Sequence, residues 1–197
     1  CLNCHRSHAA GHGEWLLSNP DESANCTTCH NGQVAKEDLT TEFTKTSHHP
    51  IETDQWTHKP DEDPQTMSQH VACADCHNPG SQRNVSGMTI AGGNIDTAIY
   101  KYEICLKCHG VQEPLTSGIT RNDGTRNIRL RINPVNSSYH PVAASGKNPS
   151  IAGLNPSYTS SSQIDCTDCH NNDGWTEGGT QPRGPHGSNY APILASE

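Results

Sequence analysis

Apolar side chains are in short supply in this sequence. Of its 197 residues, 30% are hydrophobic and 5% aromatic, and Phe43 is the only phenylalanine. Counting the 17 glycines as apolar raises the fraction to about 39%, below the roughly 45–50% of ordinary soluble domains. Side chains alone therefore bury too little surface to offset the conformational entropy lost on folding. Either the chain stays largely disordered or something other than its side chains fills the interior. Excess positive charge is missing as well. Against 21 acidic residues stand 13 Lys and Arg, a net charge of −8 with neutral His, which excludes the basic footprint of a nucleic-acid binder. No apolar run approaches the ~20 residues of a membrane span. The most apolar stretch, Met88 to Tyr102, is broken by Gly92, Gly93, Asn94 and Asp96. Methionine is reduced to Met67 and Met88. No leader precedes the first cysteine, and the sequence reads as a mature, processed chain.

Cysteine and histidine are abundant instead, at 10 and 13 residues. All ten cysteines fall into five C-x-x-C pairs, and a histidine follows every pair. The motifs are Cys1-Leu-Asn-Cys4-His5, Cys26-Thr-Thr-Cys29-His30, Cys73-Ala-Asp-Cys76-His77, Cys105-Leu-Lys-Cys108-His109 and Cys166-Thr-Asp-Cys169-His170. C-x-x-C-H is the attachment signature of c-type haem. One helical turn sets both sulfurs on the same side, where each forms a thioether to a haem vinyl group, and the next residue brings an imidazole to the iron. Structural zinc sites use two C-x-x-C pairs each, so five would strand one. Redox C-x-x-C motifs do not call for five copies, and disulfides require no histidine after each pair. By chance, five histidines out of five would arise with a probability on the order of one in a million at this histidine content.

A haem iron needs a sixth ligand or keeps an open site, and electron-transfer cytochromes close it with His or Met. Beyond the proximal His5, His30, His77, His109 and His170, eight histidines remain for five positions, whereas two methionines could serve two haems at most. Bis-His ligation throughout is the economical assignment and predicts low reduction potentials. His8 lies three residues beyond His5, and His70 three residues before the third motif. His49 and His140 each precede a proline, which pushes them out of helical geometry and projects the imidazole stiffly. His186 stands in Arg-Gly-Pro-His-Gly-Ser, where flanking glycines let backbone approach a flat macrocycle. These five are the first-choice distal ligands. His48 and His12 are reserves, competing with His49 and His8, and His58 reads as a surface residue.

The motif starts are 25, 47, 32 and 61 residues apart, so the chain is not an array of equal repeats. The intervening segments are rich in Asn, Ser, Thr, Gly and Pro and read as loop. The expected fold is irregular and haem-organised, a single pentahaem domain over residues 1–197. It is mostly loop, with short α-helices at the motifs and little β-strand. A longer helix is expected to end near Glu103, before the fourth motif. Ile128, Leu130 and Ile132 alternate and read as a short strand. The neighbouring Arg121, Arg126, Arg129 and Arg131 would pair with haem propionates or form a solvated face. Asp61-Glu62-Asp63-Pro64 reads as an acidic turn, with a cation site as the alternative. A globule of this length has a radius of gyration near ~16 Å, so five haems inside it would lie almost in contact.

The segments Tyr102-Glu-Ile-Cys-Leu-Lys-Cys-His-Gly110, Ser138-Tyr-His-Pro-Val142, Asp165-Cys-Thr-Asp-Cys-His170 and Gly184-Pro-His-Gly-Ser188 resemble those of secreted multihaem c-type cytochromes from metal-respiring bacteria. Cys-His-Arg-Ser-His8 is similar to a Cys-His-x-x-His pattern whose last histidine is a distal ligand. The third motif departs from it, with Gly80 in Cys76-His77-Asn-Pro-Gly80 where relatives often carry His. Some members of this group polymerise into extracellular filaments, and there a neighbouring subunit sometimes supplies a distal ligand. The resemblance implies electron transfer through five haem c groups outside the cell or at its surface. The chain would be a filament subunit that exchanges electrons with redox partner proteins or extracellular acceptors, and not an enzyme. The alternatives are a soluble periplasmic shuttle and, with less support, a nitrite or hydroxylamine reductase with an open haem. The catalytic pentahaem nitrite reductases are much longer and use a C-x-x-C-K motif, which is absent here.

Overall fold

The computed structural model describes residues 3–8, 16–19, 21–51, 71–79, 84–111 and 127–197. Cys1, His12, His58, His70, Met67, the 61–64 turn, Arg121 and Arg126 lie outside the described residues. Loop predominates, as the composition implies. The helices are α1 (Glu22–Thr27), α2 (Cys73–Cys76), α3 (Lys101–His109) and α4 (Ile128–Arg131). The strands are β1 (Ser47–His48), β2 (Gly87–Met88), β3 (Asn94–Ile95) and β4 (Gly187–Ser188), two residues each. They form two antiparallel ladders, β1 with β4 and β2 with β3. Short 3-10 turns lie at Glu42–Thr44 and Cys166–Asp168. Among the described residues, no helix is long and apolar enough to cross a membrane.

The chain divides into two compact units. One comprises Cys1–Glu62, Ser68–His77 and Thr167–Glu197, and the other Asp63–Met67 and Asn78–Cys166. In the first, Asp21 caps α1 by accepting the Ala24 N–H at 2.5 Å from an extended backbone. Glu22 then accepts the Ala74 N–H at 3.0 Å, which ties α1 to the start of α2.

The second unit holds an apolar cluster of buried residues, Met88, Leu106 and Ile132, with Ile90, Tyr102, Val111, Ile128 and Val142 packed around it. Helix α3 corrects one expectation. Glu103 does not end a helix before the fourth motif but stands in the first turn of the helix that carries it. Its Oε2 accepts the N–H groups of Ile99 and Tyr100 at 2.8 and 3.0 Å, satisfying donors that a helix start leaves open. The residues before it form the β2–β3 hairpin, turning at the Gly92-Gly93 pair that breaks the apolar run.

Helix α4 corrects a second expectation. Residues 128–131 are helical, and the Ile132 N–H bonds to the Ile128 carbonyl at 3.0 Å. Ile128 and Ile132, four apart, share the face that meets the cluster, whereas Leu130 is 47% exposed. The alternation was a coincidence of period. The Arg129 guanidinium bonds to the Gly110 and Ile90 carbonyls, each at 3.3 Å, so it secures the end of α3. The two geometries separate in denaturant unfolding. Ile132→Ala is expected to cost about 3 kcal/mol, while Leu130→Ala stays within about 0.5 kcal/mol.

Candidate functional site

The cysteine motifs take their local form from backbone bonds and nearby caps. In the second motif the His30 N–H bonds to the Cys26 carbonyl, and in the third the His77 N–H bonds to that of Cys73, both at 2.9 Å. One helical turn therefore closes each, as the spacing requires. The third motif supplies its own cap, since Asp75 accepts the Ala72 N–H at 2.9 Å. The fourth lies wholly within α3, and the fifth starts in the 3-10 turn at Cys166. The described part of the first motif departs from the helical expectation. His5 bridges Leu17, with Arg6 N–H to Leu16 O and Ser18 N–H to Cys4 O, both at 2.8 Å. Pairing across to the buried Leu17 takes up the backbone groups that a helix would otherwise use.

In the third and fourth motifs, residues between the cysteines are buried. Leu106 is 1% exposed, and Ala74 and Asp75 are buried, while Cys76, His77 and His109 are exposed. The third and fourth motifs are thus rooted through their intervening residues, with the histidine exposed. None of the nine described cysteines is joined in a disulfide. The second and third motifs abut. Cys73 Sγ lies 3.7 Å from Ser23 Oγ, and the thiols of Cys26 and Cys73 hydrogen-bond to one another. That bond holds the Cys26 thiol well above its ordinary value and draws Cys73 down to about 7.

Three of the proposed distal histidines meet on the β1–β4 ladder. His48 pairs with Gly187 in register, and the His49 N–H reaches the His186 carbonyl at 3.4 Å. The imidazoles are oriented by carbonyls: His48 Nδ1 lies 2.7 Å from Lys45 O and His49 Nδ1 2.7 Å from Pro185 O. The proximal His170 follows the same rule, its Nδ1 2.9 Å from Pro192 O. A carbonyl only accepts, so Nδ1 carries the proton, and in the neutral ring Nε2 carries the lone pair. Metal-ligating histidines are held in this way by their other nitrogen. The reserve His48 is as well prepared as His49.

His186 has ring neighbours on two sides. His77 lies at 5.9 Å between centroids with planes 11° apart, and Phe43 at 6.0 Å edge-on. Burial, followed by the charges of His77, His49 and His30, lowers its pKa to about 4, so the ring is neutral at physiological pH. The glycines beside it admit close approach by other parts of the chain. A Cβ on Gly187 would fall 1.9 Å from the Glu42 carbonyl oxygen, so this glycine admits another stretch of the chain itself. Gly184, at φ +123°, turns the chain so that it passes against the imidazole, where a Cβ would sit 3.1 Å from Cε1.

His49 and His140 share a turn. The Ile51 N–H bonds to the His49 carbonyl at 2.9 Å and the Val142 N–H to the His140 carbonyl at 2.8 Å, each closing a three-residue loop across proline. Pro141 O also accepts the Ile164 N–H at 3.0 Å, which fixes His140 to the approach of the fifth motif. His8 is exposed beyond the first motif.

Sequence reasoning missed the supports behind the ladder. Lys45 Nζ lies 2.8 Å from Glu42 Oε2, 2.9 Å from Asn172 Oδ1 and 2.7 Å from Asp173 Oδ1. Glu42 is fully buried, and desolvation pushes its carboxyl above the usual range. Asn171, the residue after His170, accepts the Gly184 N–H at 2.6 Å and so anchors the His186 loop. These contacts join residues more than 120 positions apart for Lys45, and no local pattern announces them.

Among the described residues, no group of three or more His, Cys, Asp or Glu side chains is set to hold a bare metal ion. No protein-family model, curated protein or solved structure matches the chain. Replacing Lys45 by Met would leave the buried Glu42 carboxylate, and the half-buried Asp173 beside it, uncompensated. Unfolding measurements should show a loss of about 3–5 kcal/mol, with Glu42→Gln costing less, because an amide removes a charge that burial already disfavours.

Proposed function

We propose that this chain is a pentahaem c-type cytochrome that transfers electrons. One observation carries the reading: every one of the ten cysteines lies in a C-x-x-C pair, and every pair is followed by histidine. When bound, haem supplies a one-electron carrier whose potential is set by its axial ligands and surroundings. Cys1, Cys4, Cys26, Cys29, Cys73, Cys76, Cys105, Cys108, Cys166 and Cys169 would anchor the five groups, with His5, His30, His77, His109 and His170 as proximal ligands. His8, His49, His70, His140 and His186 are the proposed distal ligands, with His48 and His12 in reserve.

The donor set suits that group. The imidazoles of His5, His30, His77 and His109 are exposed, leaving faces for a flat ligand to cover, which the sparse apolar core needs. Carbonyl-held Nδ1 atoms at His48, His49 and His170 fix rings for bonding through Nε2. Met88 is buried at 7% exposure among Leu106 and Ile132, which supports histidine over methionine as the sixth ligand in its unit. Bis-His ligation favours low potentials and closed irons, and so electron transfer over catalysis.

On this reading the chain works outside the cell or at its surface as a filament subunit, with copies of itself and extracellular acceptors as partners. Intact mass measurement of matured protein is expected to exceed the polypeptide by five haem masses, and carbon monoxide should leave the spectrum unchanged. The bare polypeptide mass would overturn the reading. Electron microscopy should show polymers; monodisperse particles alone would overturn the filament and leave a shuttle.

A further inference from the structure

The geometry points to His77 and His186 as the two axial ligands of one and the same haem iron, that of the third motif. The inference rests on the haem reading above and adds to it a specific pairing across 109 positions of sequence, which motif spacing does not provide. The residues immediately after the third motif, Asn78, Pro79 and Gly80, include no histidine, so they do not supply its distal ligand.

Two imidazoles that bind one metal from opposite sides keep each nitrogen about 2 Å from it, which puts the ring centroids roughly 6 Å apart. His77 and His186 stand at 5.9 Å with planes 11° from parallel. Rings in direct face contact would be closer, at about 3.5–4 Å between carbons. An offset aromatic pair also falls in the roughly 4.5–7 Å range, and it is the surroundings that favour the shared metal. On the haem reading His77 is the proximal ligand of the third motif, whose turn its backbone closes through N–H to Cys73 O at 2.9 Å. His186 is placed with unusual care for a loop residue. Its Nδ1 is buried and has no hydrogen-bond partner. Gly184 lies against one side of the ring, Phe43 meets it edge-on, and the β1–β4 pairing fixes its backbone. His49, one rung away with Nδ1 on Pro185 O, is then left for a different iron.

The test uses the matured, full-length chain. His186→Ala should keep five haems by mass, because the cysteines still hold them. It should gain one carbon monoxide-binding haem per chain over the parent. In a Cys73→Ser/Cys76→Ser background, which carries four haems, adding His186→Ala should open none. If His186→Ala opens a haem in both backgrounds, or opens none in the first, the pairing is overturned. Should the four-haem background fail to fold, an experimental structure of the haem-loaded parent decides. His77 and His186 on one iron supports the pairing, and His186 on any other iron overturns it. A chain that carries no haem at all fails earlier, at the mass measurement, and takes the haem reading down with the pairing.

Discussion

The shortage of apolar side chains governs everything else in this molecule. Among the described residues, the buried hydrophobic set is Leu17, Ala72, Ala74, Met88, Leu106 and Ile132, two of them alanines. The buried polar set is larger, with Asn25, Glu42, Asp75, Glu103, Asn127, Asn171, Asn172 and Ser188. Buried polar groups are tolerated where they are hydrogen-bonded, and here many of them bond to backbone. Asn25 Nδ2 donates to Asp21 O, Glu103 holds the start of α3, Asn171 holds Gly184, and Ser188 Oγ donates to Leu194 O. Side chains that would cover a core in another protein are here used to hold loops in shape. Such a scaffold fixes local geometry well while burying little.

How much of this could be read in advance depends on the range of the interaction. The helical turns at Cys26–His30 and Cys73–His77 were legible, because the C-x-x-C-H spacing is local, acting over four residues. The loop-rich character was legible from Asn, Ser, Gly and Pro. Ile128, Leu130 and Ile132 misled, because an alternating pattern over five positions also contains a four-residue spacing, and the cluster around Met88 selected that one. Glu103 was placed at the wrong end of its helix: an acid at a boundary favours the start, where open N–H groups and the dipole attract it. The glycine after His186 was rightly marked as a point of close approach, but what approaches is the Glu42 backbone.

The ladder that joins β1 to β4 was not legible, nor was the Lys45 cluster behind it. Two-residue strands leave no periodicity, and a lysine that meets Asn172 and Asp173 looks like any surface lysine. Yet this is the part of the fold that gathers His48, His49 and His186. Prolines and glycines marked the candidate histidines one at a time, and only the folded chain shows which of them stand together.

The three-residue loops at His49-Pro50-Ile51 and His140-Pro141-Val142 carry one more consequence. Proline narrows the backbone on both sides of itself, and the closing bond removes most of what freedom remains. An imidazole mounted on such a loop has little ordering entropy left to lose when it takes a ligand. It also has little room to shift when the charge of that ligand changes. On the proposed reading, each arriving electron would find its ligands already close to their final positions, and the nuclear rearrangement accompanying each transfer would stay small.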